Sequence, residues 1–187
     1  CGDRMDAFLR NNAQRRFFMW TGFIGPHPPY NVPAPWESMY DLEDMPFPIQ
    51  VDRPDETLPL KMQMLRYYAN YENASDDRLR RCVALYYAAC SLIDHQVGRM
   101  LDTLEELDIL DETLIIFTGD HGEMLGDFNA CQKANPYESA VRVPLLMRWP
   151  ERIEAGRVSD DLVGCTDIFP TVMEAAGIDH PVLEELP

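Results

Sequence analysis

The longest regular pattern of apolar positions is Leu79, Val83, Tyr86, Cys90, Ile93, Val97, Met100, Leu104 and Leu107, whose steps of four and three lay one stripe along a helix. At about 1.5 Å per residue that helix is long enough to cross a whole sheet. Ser75, Asp76 and Asp77 supply its cap and first turn. Packing explains nearly all of its residues, and Asp94 and His95 in its middle read as structural. Continuous apolar runs predict strands at 16–23, 113–118 and 142–149. The proline-rich stretch "IGPHPPYNVPAPW" cannot continue the first of them, and 37–59, acidic and proline-dotted, reads as a long surface excursion. A turn around Gly156 and a short apolar run at 162–164 lead to a helix over 167–176 that Gly177 ends. Strands that do not alternate, interleaved with amphipathic helices, predict an α/β architecture whose sheet is covered on both faces.

Composition narrows the function classes. The chain has 187 residues, 46% of them hydrophobic, enough for one substantial core and so for one domain or part of a larger one. A formal charge of -16 argues against a general affinity for nucleic acid or anionic membrane. Five widely spread cysteines without a Cys-x-x-Cys pair argue against a disulfide framework or a structural zinc site. No run approaches the ~20 apolar residues of a membrane span. The chain begins at Cys1, so the lack of a leader says nothing about compartment, which stays open, as does the oligomeric state. Asn73-Ala74-Ser75 fits a glycosylation acceptor, a tripeptide common by chance.

The second strand runs straight into Asp120-His121-Gly122-Glu123. Alone, that tetrapeptide reads as a solvated turn. In open α/β sheets, however, ligands gather outside the carboxyl ends of the strands, and two strand ends here carry polar groups: the first His27, the second Asp120 and His121. Asp offers a hard oxygen and neutral His a nitrogen, so the pair supplies two ligands for a divalent cation, too few for a complete site. Lys133 is ordinarily a solvated lysine, but beside a metal it neutralises an anionic substrate oxygen.

"TGDHGEMLGD" followed by "QKANPYESAVRVPLLMRWP", with "GPHPP" upstream, "YYAACSLIDHQVGRMLDTLEEL" between and "TDIFPTVMEAAGI" downstream, resembles the formylglycine-dependent sulfatases of the alkaline phosphatase superfamily. The resemblance covers nearly the whole chain. It implies an α/β/α sandwich around a large mixed sheet, of which residues 1–187 are the carboxy-terminal part of the catalytic domain. It implies that Asp120 and His121 ligate a divalent metal, calcium first, with magnesium or manganese as the other candidates. It also implies that Lys133 and His27 face the sulfate group of a small-molecule or saccharide sulfate ester. Tyr137, Glu138 and Arg142 match the motif, with packing or ion pairing as their role.

Two departures qualify the resemblance. Related sequences often read Gly-Asp-His where this one has Gly126-Asp127-Phe128, which removes a polar contact near the substrate and alters leaving-group preference. None of the five cysteines, and no serine, begins the Cys-x-Pro-x-Arg or Ser-x-Pro-x-Arg segment whose first residue becomes the formylglycine nucleophile. That segment is expected upstream of Cys1, and the 187 residues alone are expected to be inactive. Two rival readings remain: a phosphonate monoester or phosphodiester hydrolase of the same superfamily, and a non-catalytic binding module. The coding sequence ahead of Cys1 separates the enzyme from the module.

Overall fold

The computed structural model describes residues 1–50, 55–179 and 181, and they divide into two units. The first comprises residues 1–110 and 121–143, the second 111–120 and 144–187.

In the first unit the central element is α3 (Asp76–Glu106), the helix expected from the 79–107 stripe. Ser75 caps it: its backbone is extended and its hydroxyl accepts from Arg78 N at 3.3 Å. A capping hydroxyl satisfies one otherwise unpaired amide, so Ser75→Ala is expected to cost about 1 kcal/mol in chemical denaturation. A change within error would show that the cap is idle. The buried face is not quite the anticipated stripe. Leu79, Val83 and Leu104 are buried, but so are Ala84, Ala88, Ala89 and Thr103, while Cys90 is exposed. Two layers press on the helix from different sides, so more than one stripe is covered.

One layer is α1 (Gly2–Asn12), which buries Met5 and Leu9 and joins α3 through Arg99–Asp3 at 2.8 Å and Arg10–Glu106 at 2.7 Å. Both pairs are exposed and add little to stability. The other layer is the segment expected to be a surface excursion. Far from lying free, it docks on α3. Trp36 packs on His95 with ring centroids 5.4 Å apart, Tyr40 Oη lies 2.6 Å from Ser91 Oγ, and Met45 is buried against Val83 and Ala84. Residues 51–54 of that stretch lie outside the described residues. α2 (Leu60–Ala69) turns Met62, Leu65 and the largely buried Arg66 inward. The short α4 (Glu138–Val141) follows, with Ala140 buried.

Residues 16–23 form no strand ladder. Their exposure nonetheless alternates residue by residue, as in an extended chain, with Phe18 66% and Trp20 77% exposed while Phe17 packs edge-on to Phe8 with centroids 5.8 Å apart.

The second unit holds the only ladder among the described residues. β1 (Ile115–Thr118) pairs antiparallel with β2 (Leu145–Arg148), Ile115 facing Arg148 and Thr118 facing Leu145. Arg148 and Asp111 are joined at 2.5 Å. α5 (Ile168–Ala176) ends as anticipated on Gly177, at φ 67°. Its entry is fixed by Asp167, whose carboxylate accepts from Gly164 N at 2.7 Å. The short apolar run at 162–164 is no strand, and Leu162 and Val163 are exposed. Leu146 is also exposed, so a sheet covered on both faces is not what these two strands form by themselves.

Candidate active site

Residues 121–137 of the first unit form a loop bound to α4 by close backbone contact. Gly122 N donates to Ala140 O at 2.8 Å. A Cβ at position 122 would stand 2.2 Å from Ser139 O, so no other residue fits without moving backbone. Below the loop, Met124, Ala130 and Ala140 join Leu58, Met62 and Leu65 in one apolar cluster. Phe128, where a polar contact was expected to be lost, stacks on Tyr137 with centroids 4.7 Å apart and packs against that cluster. Tyr137 is thus a packing residue, as expected.

Polar ties complete the frame. Asp127 accepts from Ile49 N at 2.8 Å and from Ser139 Oγ at 2.7 Å, and Arg66 Nε donates to Phe128 O at 2.8 Å. Within this frame the backbone is strained. Leu125, Phe128, Asn129, Gln132 and Ala134 have φ of 49°, 56°, 57°, 62° and 73°. Outside glycine the left-handed region costs roughly 1–2 kcal/mol per residue. Lys133 sits between two such residues.

Lys133 Nζ lies 2.7 Å from His27 Nε2, 106 positions away in sequence. His27 Nδ1 is 2.6 Å from Pro28 O. A carbonyl only accepts, so Nδ1 carries the proton, and Nε2 accepts from the lysine ammonium. The imidazole ring of His121 stands edge-on to that of His27 with centroids 6.4 Å apart. His121 Nδ1 lies 2.8 Å from Gly122 O, which can only accept, so Nδ1 donates there. Three of the four expected site residues, His27, Lys133 and His121, therefore come together within one unit. Asp120 is exposed and is the last residue of the 111–120 segment, peptide-bonded to His121.

The residues present fit a divalent metal in part. A metal-bound histidine characteristically donates its other ring N–H to a carbonyl or carboxylate, as His121 does to Gly122 O. No group of three or more His, Cys, Asp or Glu side chains able to hold a metal exists among the described residues.

All five cysteines are free. Burial pushes the Cys90 thiol up, and burial together with the Glu123 charge does the same for Cys131, so neither is an activated thiolate. The same charge acts on Tyr30, Tyr71 and Tyr86, after burial, which is the larger cause for each. Burial and then, for Tyr30, the Glu123 charge push its hydroxyl far up, and Tyr86 rises to about 12. These hydroxyls stay protonated at neutral pH. His95 rests on Trp36, in keeping with a structural role. Two residues escaped the sequence reading: Glu123, whose Oε1 accepts backbone amides of the loop, and Asn135, whose buried amide nitrogen has no partner among the described residues.

This frame has known counterparts. A phosphonate monoester hydrolase from Silicibacter pomeroyi superposes with a TM-score of 0.86 at 29% identity, over 96% of this chain and 38% of that one. The fold is thus that of the alkaline phosphatase-like α/β enzymes, and this chain contains part of it. An arylsulfatase of Clostridium perfringens is 32% identical over 186 residues, 96% of this chain and 38% of the relative. A multifunctional alkaline phosphatase superfamily protein of Trinickia caryophylli is 31% identical over 193 residues, with the same coverage of 96% and 38%. The sulfatase family profile matches residues 2–178, and the chain belongs to that family. It spans little more than a third of the length of these relatives. No helix among the described residues is long and apolar enough to cross a membrane.

Proposed function

We propose that the complete protein is a hydrolase that cleaves a sulfate ester, and that Lys133 and His27 bind and discharge the anion. The observation that carries this reading is the 2.7 Å contact between Lys133 Nζ and His27 Nε2 beside His121, because it puts a cation and a proton-bearing pair at one point. Lys133 neutralises charge on the anion's oxygens. The hydrogen shared between Nζ and Nε2 is available to the departing oxygen, and the Nδ1 bond to Pro28 O keeps the ring facing that way. A divalent metal held by Asp120 and His121 with further ligands would supply Lewis-acid stabilisation, and a formylglycine upstream of Cys1 the nucleophile.

A phosphonate monoester hydrolase is the second reading, favoured by the structural neighbour of that activity, since sulfate and phosphonate esters present similar tetrahedral oxygens. Parallel turnover of an aryl sulfate and an aryl phosphonate ester by the complete protein separates the two. Turnover of neither ester overturns both. In the same preparation, Asp120→Ala is expected to lose the metal by elemental analysis. Unchanged metal content would remove Asp120 from the ligand set.

A further inference from the structure

We propose that Glu123 is a positioning residue for Lys133: its carboxylate holds the backbone just ahead of the lysine and so sets the lysine's contact with His27. Glu123 Oε1 accepts from Leu125 N at 3.3 Å and from Gln132 N. One oxygen therefore gathers both ends of the 125–132 loop. Met124 N donates to Gln132 O at 3.0 Å, so the residue before Lys133 is gripped at its amide and its carbonyl by consecutive residues, 123 and 124. Gln132 is left-handed at φ 62°, a conformation a glutamine keeps only when its surroundings hold it. The carboxylate forms no ion pair among the described residues. Among the described residues its hydrogen bonds are to backbone amides, which a carboxylate or a carboxamide oxygen in that place accepts. The inference rests on the reading of Lys133 and His27 as the anion-facing pair.

The test uses the complete protein with ¹⁵N-labelled histidine, His27→Ala identifying the His27 signals. In Glu123→Ala and Glu123→Asp, the second too short by one methylene, the His27 Nε2 resonance is expected to move toward that of a ring without the lysine contact. In Glu123→Gln, which keeps an acceptor oxygen, it is expected to stay. An unmoved resonance in Glu123→Asp, or a shift in Glu123→Gln as large as that in Glu123→Asp, overturns the proposal, and both variants serve even if Glu123→Ala does not fold. For turnover, a misplaced lysine costs up to about 10²-fold, and that loss is expected to vanish when Lys133→Ala is already present. Losses that multiply in the double variant would mean that Glu123 acts elsewhere. Should neither ester be turned over, the functional reading fails while the resonance arm still decides the role of Glu123.

Discussion

Lys133→Ala in the complete protein is expected to lower turnover by about 10²–10³-fold, the usual effect of removing one group aimed at charge that develops in the transition state. The loss is expected mainly in kcat, because the ammonium is bonded to His27 Nε2 at 2.7 Å and both members of the pair are disabled together. Lys133→Arg is not expected to restore activity: a planar guanidinium cannot replace a compact ammonium between two left-handed residues. Steady-state kinetics on the aryl ester that the wild type turns over best would measure it. Turnover within a few-fold of wild type would return Lys133 to solvent and leave the loop with no chemical role.

The second large effect belongs to a glycine. Gly122→Ala is expected to destabilise the protein by about 1–3 kcal/mol, the range for forcing an extra carbon into a packed site, since its Cβ would press on Ser139 O. The loop must also separate from α4, so His121 should shift and metal content fall. Gly98→Ala is the matched control. Gly98 lies within α3 with nothing within 4 Å of an added Cβ, and alanine there is expected to stabilise by roughly 0.5–1 kcal/mol. Equal denaturation midpoints for Gly122→Ala and wild type would show that the close approach to Ser139 does not exist.

How much of this was legible in the residues depends on how local each feature is. α3 was readable because its stripe repeats over 31 residues and a serine marks its start. α5 was readable from its apolar run and terminal glycine. α2 was not, because it is apolar on two sides: Met62 and Leu65 face inward while Leu60, Met64, Tyr67 and Tyr68 face outward, which blurs any single stripe. α1 was missed for the opposite reason, since only Met5 and Leu9 of its face are both apolar and buried. The 16–23 segment has the composition of a strand, but a strand is a relation between two segments, and no partner lies among the described residues. The docking of 36–45 on α3 depends on contacts such as Trp36 with His95, which no periodicity announces.

The candidate site follows the same logic. His27, Asp120, His121 and Lys133 stand in short recognisable motifs, so they could be named as candidates from the chain. The meeting of His27 with Lys133 could not, since it spans 106 positions. Glu123 was visible as a charge and invisible as a clamp, because its partners are amides, and every residue but proline has one.

Five non-glycine residues in left-handed geometry within ten positions make the lysine loop a loaded spring. Its working shape is not its relaxed shape, and the surrounding packing holds the difference. Selection for heat resistance alone would favour releasing that tension by placing glycine at 132 or 134, which fit the same backbone without strain. The release would let the lysine wander over more directions than the one that meets His27. The loop is therefore a place where durability and aim oppose each other, and the residues that look worst for the fold are the ones that keep the aim narrow.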